Sequence, residues 1–319
     1  MNRPADPLTP LARAIWQLAH GRHLTSEESG AAFDALMDGR ATPAQMVALL
    51  VGLRVLGETG EEIAGAAAAL RRAMVTLDGV DDRDGLVDTC GTGGGTVSTF
   101  NISTAAALVA AGAGVRIAKH GNRSFTSRSG SADAFEALGV PIDIAPEVAA
   151  RILARAGIAF LFAPTYHPAL RHAGPVRREL GIPTVMNLLG PLANPAGARR
   201  QVVGVADRER GPVLAQALSR LGAIHALVVH GEVGMDEVSP VGPTAVWEVR
   251  GGTVREWTLD PEALGIGGID LDALAGGSPV ENADRVERLV RGGDDRAGRA
   301  TVLLNAAAAI YVTEGERTF

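Results

Sequence analysis

Cysteine, aromatic residues and lysine are all scarce in this chain, and each scarcity excludes something. A single cysteine, Cys90, leaves no internal disulfide framework and suits a reducing compartment. Aromatics make up only 4% of the 319 residues, too few for a surface that stacks nucleic-acid bases. The formal charge of −6 lacks the basic excess of a protein that binds a duplex or an anionic membrane. No apolar run approaches the roughly 18 residues of a membrane span. Met1-Asn2-Arg3-Pro4-Ala5-Asp6 also lacks the basic-then-apolar order of a signal peptide. These absences predict a soluble cytoplasmic protein with neither nucleic acid nor membrane as partner.

Lys119 is the only lysine, every other basic residue being arginine. In a chain that uses arginine for generic positive charge, one retained ammonium marks a place for a compact point charge that a planar guanidinium does not imitate. Phosphate and pyrophosphate oxygens are its usual partners.

The first 75 residues or so read as helical. Thr25 with Glu28 and Thr59 with Glu62 are capping-box pairs, and Thr42 stands before Pro43 with Gln45 at the third helical position. This block offers no catalytic constellation and reads as scaffold and dimer surface. From about residue 84, short apolar runs alternate with amphipathic helices, the pattern of a parallel α/β sheet. Strands are expected at 85–90, 115–118, 159–163, 201–206 and 225–230, with helices at 103–113, 131–138, 146–156 and 212–221. Residues 168–180 read as one helix, 245–259 as a hairpin about Gly251-Gly252, and 282–290 and 300–312 as closing helices. The fold class is therefore α/β: a small N-terminal helical domain, 1–78, joined by the helix near 168–182, and a larger domain, 79–319, with a mainly parallel central sheet.

Three segments carry chemistry. Asp88-Thr89-Cys90-Gly91-Thr92-Gly93-Gly94-Gly95 follows a strand and leads into Asn101-Ile102-Ser103-Thr104, so glycine amides and a helix N-terminus converge where an anion can bind. The spacing is neither a Walker loop nor a dinucleotide fingerprint. A second cluster, Ser124, Ser127, Ser129 and Ser131, also precedes a helix, and these serines equally suit plain N-caps. Asp236-Glu237 lies after the last parallel strand, where α/β proteins bind ligands, and two hard carboxylates near a polyphosphate suit Mg²⁺. Arg177 and Arg178 read by spacing alone as a solvated helix face, although arginine is also the residue for two-point carboxylate recognition. Cys90 reads as a small buried residue.

Taken in order, Gly91-Thr92-Gly93-Gly94, Asn101-Ile102-Ser103-Thr104, Lys119-His120-Gly121-Asn122-Arg123, Pro175-Val176-Arg177-Arg178-Glu179-Leu180-Gly181, Asn187 to Pro195 and Asp236-Glu237 resemble the anthranilate phosphoribosyltransferase family over nearly the whole chain. The resemblance implies transfer of the phosphoribosyl group of phosphoribosyl pyrophosphate (PRPP) to the amine of anthranilate, within tryptophan biosynthesis. It implies that PRPP is held by Gly91, Gly94, Gly95, Thr99, Asn101, Ile102, Ser103, Thr104, Lys119, Ser127 and Ser131. Anthranilate would sit against Gly91, Asn122 and Arg177, and Mg²⁺ on Ser103, Asp236 and Glu237. Lys119 would stabilise the pyrophosphate charge, the loop from Lys119 to Ser127 would close, and the chain would dimerise through its helices. The family usually has Asp where this chain has Gly95, and usually continues with another helix beyond the position of Phe319. The rival readings are a pyrimidine nucleoside phosphorylase and a noncatalytic, nucleic-acid-binding paralogue on the same fold.

Overall fold

The computed structural model describes residues 8–80, 85–124 and 128–313. Four helices open the chain: α1 (Pro10–Ala19), α2 (Ser26–Met37), α3 (Pro43–Leu56) and α4 (Gly60–Ala73). Thr25 and Thr59 close the two expected capping boxes and Thr42 a third, each threonine accepting from the third helical N–H while Glu28, Glu62 and Gln45 reach back. Such local reciprocity is why these starts are legible without tertiary information.

The α/β part runs β1 (Val87–Gly91), α5 (Ile102–Gly112), β2 (Ile117–Gly121), α6 (Ser131–Ala137), α7 (Pro146–Ala156), β3 (Ile158–Phe162), the single turn α8 (Ala163–Tyr166), α9 (Gly174–Leu180), α10 (Met186–Leu189), β4 (Arg200–Gly204), α11 (Arg210–Arg220) and β5 (His225–Gly231). The hairpin β6 (Thr244–Arg250) and β7 (Thr253–Leu259) and the helices α12 (Pro279–Val290) and α13 (Arg296–Tyr311) complete it. The sheet order is β3-β2-β1-β4-β5-β6-β7. Strands β3 through β5 pair in parallel, and β6 and β7 are antiparallel, with Gly251 and Gly252 at the hairpin turn.

The expected helix over 168–180 is broken. A 3₁₀ turn covers Pro168–His172, and α9 restarts at Gly174. Pro175 accounts for the interruption: with no N–H to donate and a ring that crowds the preceding turn, it fits only at a helix start. The last two helices begin earlier than expected because Ser278 and Asp295 cap them.

One apolar core runs through both parts. Leu49, Leu53 and Ile63 of the helical block share a cluster with Val176, Leu189 and Trp247. Across this seam Arg71 Nε donates to the Leu192 carbonyl at 2.6 Å, and Arg210 pairs with the buried Glu58. No helix among the described residues is long and apolar enough to cross a membrane.

Candidate active site

Strand order reverses between β1 and β4: the chain steps from β1 to β2 and β3 on one side, then returns to β4 and β5 on the other. Loops leaving the carboxyl ends of two such strands diverge and open a crevice. Three of the sequence motifs meet there. Beyond β1 the chain turns through Gly93 (φ 64°) and Gly94 (φ 82°), left-handed conformations that favour glycine, and Thr92 N–H donates to the Gly204 carbonyl at 2.9 Å. Gly91, Gly93, Gly94 and Gly95 are all exposed. The loop after β5 brings Asp236 alongside: the Gly93 N–H favours its ionised carboxylate, and a Cβ on Gly91 would stand 3.1 Å from Asp236 Oδ2.

Glu237 lies against the first turn of α5, where the Ser103 N–H favours its ionised form. Burial lifts the carboxyls of both Asp236 and Glu237 above their usual range; for Glu237 the neighbouring Asp236 charge adds to this and Lys119 opposes it. Among the described residues no group of three or more His, Cys, Asp or Glu is arranged to hold a metal. What the site offers is one carboxylate pair beside the Ser103 hydroxyl. That donor set fits Mg²⁺, which takes one or two carboxylates and fills its octahedron with water and substrate phosphates. A cation there would also stabilise the ionised forms of two carboxyls that burial and mutual repulsion disfavour.

Lys119 stands where neither a loop nor an open ligand site would put it. The strand extends past the expected Ala118 to Gly121, pairing with β3 along its length, so Lys119 is interior and 1% exposed. Its Nζ donates to the Thr89 carbonyl, to Thr89 Oγ1 at 3.3 Å and to Ser103 Oγ at 3.2 Å. Three acceptors match the three protons of an ammonium. Burial lowers its pKa while Asp88, Cys90 and Glu237 pull the other way. Lys119 thus acts from beneath the crevice, orienting Ser103 and facing Glu237.

Asn101 is the N-cap of α5 but makes no capping hydrogen bond. Ile102 and Thr104 are buried, the Thr104 hydroxyl without a hydrogen-bond partner among the described residues, so both offer the crevice backbone rather than side chain. Thr99 forms an antiparallel bridge with Ala275. Asn122 is exposed just beyond β2; its carbonyl accepts from Ala132 N–H at 3.2 Å and Ser131 Oγ at 3.5 Å, which seats the start of α6 beside the crevice. Ser127 lies outside the described residues. Arg177, on α9, is half-buried, and burial lowers its pKa. Among the described residues its guanidinium has no hydrogen-bond or ion-pair partner.

Sequence reasoning missed several polar residues that hold this geometry. Asn194 donates to Asp88 Oδ2 and to the Ala118 carbonyl, both at 2.8 Å, tying the segment before β4 to β1 and β2. Asp88 in turn accepts the His120 N–H at 3.0 Å, and burial lifts its pKa to about 6. His120 Nε2 lies 3.2 Å from His167 Nε2, and burial lowers these rings to about 3 and about 4. From α13, Asn305 accepts the Val238 N–H at 3.0 Å and donates to the Val238 carbonyl at 2.9 Å, clasping the residue next to Glu237. Cys90, expected to be buried, is only half-buried at the edge of the core, and its thiol is pushed well up by desolvation, which leaves it inert.

Fold and site together define a glycosyl transferase. The sequence matches the families described as "Glycosyl transferase family, helical bundle domain" over residues 12–74 and "Glycosyl transferase family, a/b domain" over residues 83–319. It is 52% identical over 303 residues to the anthranilate phosphoribosyltransferase of Rubrobacter xylanophilus, covering 95% of this chain and 87% of that protein. The crystal structure of the Thermus thermophilus anthranilate phosphoribosyltransferase superposes with a TM-score of 0.89 at 45% identity, covering 96% of this chain and 89% of that one. The Saccharomyces cerevisiae enzyme in complex with PRPP and Mg does so with a TM-score of 0.86 at 30% identity and the same coverage. The chain belongs to the anthranilate phosphoribosyltransferase family.

Proposed function

We propose that the protein displaces pyrophosphate from C1 of PRPP with the amine of anthranilate, forming the C1–N bond with inversion and releasing pyrophosphate. The observation that carries this reading is the Asp236–Glu237 pair set against the glycine turn at the switch point, two half-buried carboxyls whose ionised forms a cation would stabilise. Asp236, Glu237 and Ser103 would hold Mg²⁺, which would neutralise charge on the leaving pyrophosphate. The amides of Gly91, Gly94 and Gly95 and the first turn of α5 from Asn101 to Thr104 receive the diphosphate, with Thr99 and Ser131 at the rim and Ser127 assigned there by resemblance. Lys119 contributes fixed positive potential from below. No protein nucleophile is needed: charge growing on the departing oxygen meets dipoles already in place.

Arg177 supports anthranilate as the acceptor. A half-buried guanidinium without a protein carboxylate among the described residues has a donor fork to offer the acid, and Asn122 and Gly91 line the adjoining strand ends. In this reading residues 1–78, with the helix near 168–182, form the small domain, and 79–319 the catalytic one. The reading extends to a cytoplasmic homodimer through the helical block, where Trp16 (46%) and Val55 (82%) stand exposed. The carboxylate pair disfavours a nucleoside phosphorylase that takes inorganic phosphate, and the acidic balance disfavours a nucleic-acid binder.

The test is the loss of anthranilate fluorescence on adding PRPP with Mg²⁺. No decay at saturating substrates, or phosphate-dependent cleavage of thymidine instead, overturns the reading.

A further inference from the structure

Asparagine is among the best helix N-caps because its side-chain oxygen can accept a first-turn N–H. Asn101 holds that position on α5 and does not use it. Its side-chain oxygen is fully engaged elsewhere. Asn101 Oδ1 accepts from Ser129 Oγ at 3.0 Å and from Asn282 Nδ2 at 2.9 Å, and its Nδ2 donates to the Ser129 carbonyl at 3.2 Å. Asn282 comes from α12, is 3% exposed, and is itself anchored by accepting the Gly277 N–H at 2.8 Å.

The chain around Asn282 grips the approach to α5 at several points. Phe100 N–H donates to the Leu274 carbonyl at 3.0 Å, and Gly276 N–H to the Ser98 carbonyl at 3.1 Å. The Arg285 guanidinium lies 4.2 Å over the Phe100 ring while donating to the Ala273 carbonyl at 2.7 Å. The N–H of Thr104, at the third helical position, is the one a swung-in Asn101 side chain would cap, while the Ser103 N–H faces Glu237.

We propose that Asn282 is a positioning residue that holds the Asn101 side chain off the N-terminus of α5, keeping that helix end open to the pyrophosphate of PRPP. The effect is one of competition. An N-terminus capped by its own asparagine has satisfied the donor that an anion would otherwise use. The Asn282 donor and the Ser129 hydroxyl make the uncapped rotamer the favoured one, and the same contacts couple the serine loop to the phosphate turn. The proposal rests on reading α5 as the pyrophosphate cradle.

Asn282→Ala removes the donor. Asn282→Asp keeps the shape and the acceptor for Gly277 but sets a repelling oxygen against Asn101 Oδ1. Each variant is expected to weaken PRPP binding about tenfold in calorimetry with Mg²⁺, the scale of one capping hydrogen bond, and to leave the KM for anthranilate unchanged. In the cycle of Asn101→Ala, Asn282→Ala and the double variant, the double should bind PRPP no more weakly than Asn101→Ala alone. A crystal structure of Asn282→Ala should show Asn101 Oδ1 about 3 Å from the Thr104 nitrogen. Additive losses, or a lowered Tm with PRPP affinity unchanged, overturn the proposal, because either assigns Asn282 a purely structural part. Wild-type protein that ignores PRPP overturns the cradle reading instead, and the position of Asn101 in the variant crystal still decides whether Asn282 holds it.

Discussion

Gly204, the last residue of β4, packs so closely beneath Asp236 that a Cβ on it would overlap the Asp236 backbone carbonyl. The missing side chain lets the loop of Asp236 and Glu237 lie down on the strand next to the glycine turn. Gly204→Ala should therefore displace Asp236 and Glu237 together. We expect a loss of turnover of about 10²-fold or more, the scale of losing one preorganised electrostatic contact, with a raised Mg²⁺ requirement. A Mg²⁺ titration of the initial rate beside a thermal melt checks this; a variant with wild-type Mg²⁺ dependence contradicts it.

Arg177→Ala should mainly raise the KM for anthranilate, by about 10- to 100-fold, since hydrogen bonds to charged groups contribute about 1.5–3 kcal/mol. Arg177→Lys should rescue little, because an ammonium cannot offer the two-point fork. Steady-state kinetics with each substrate varied in turn separates this from an effect on PRPP. An unchanged anthranilate KM removes Arg177 from the site.

Lys119→Met should fold yet lose roughly 10²-fold in kcat/KM for PRPP. The interior position matters here: the ammonium satisfies Thr89 and Ser103 and faces Glu237, so its removal would disturb the proposed diphosphate cradle from below. Lys119→Arg should not restore the rate, as three acceptors close around one nitrogen leave no room for a planar fork. Retention of activity in either variant refutes the electrostatic role.

The His120–His167 pair predicts how stability depends on pH. Both rings titrate lower in the folded protein, at about 3 and about 4, than the ordinary value of 6.5, so between those limits the unfolded chain binds more protons. Their contribution is present above pH 6.5 and is lost as pH falls through the folded values. Asp88, raised to about 6, works in the opposite sense: its contribution is present below 3.8 and lost as pH rises through about 6. Asp236 and Glu237, raised by burial as well, oppose the rings in the same way. The acid limb of the stability profile is therefore a balance of three carboxyls against two histidines, whose own contribution falls by on the order of a few kcal/mol between pH 6.5 and 4. Replacing both histidines by glutamine should flatten that limb in urea melts taken across the range. An unaltered slope refutes the assignment.

Gly95 has no positive φ, and a Cβ placed on it would meet its nearest neighbours, Ala206 Cβ and the Gly234 carbonyl, at 3.6 Å. Gly95→Asp should therefore fold normally and add a carboxylate at the rim of the glycine turn. We expect tighter binding of excess Mg²⁺ and turnover that declines at high Mg²⁺ where the parent does not. Superimposable Mg²⁺ profiles for parent and variant rule this out.

Much of this architecture can be read from local patterns. The threonine caps of α2 to α4, the hairpin about Gly251-Gly252 and the alternation of strand and helix all depend on residues within a few positions of one another. The glycine turn and the carboxylate pair are legible for the same reason. What escapes are residues whose partners lie far away in the chain: Asn305 reaches 67 positions to Val238, Asn194 106 positions to Asp88, and Asn282 181 positions to Asn101. A buried amide among apolar neighbours has no period to betray it. Lys119 stands out in the sequence, yet its depth does not, because polar residues at 119 and 120 end an apolar run. Only the facing Asp88, Thr89 and Asn194 show why the strand goes on.

The seam between helices and sheet has a corollary for recombination. Because Arg71, Glu58 and Arg210 are matched across one continuous oily interior, a chimera grafting the bundle of one relative onto the sheet of another would inherit mismatched halves. Exchange at residue 78 alone would also leave α9 and α10 with the wrong parent. Such recombinants should fold stably only when the stretch from 168 to 192 travels with the bundle.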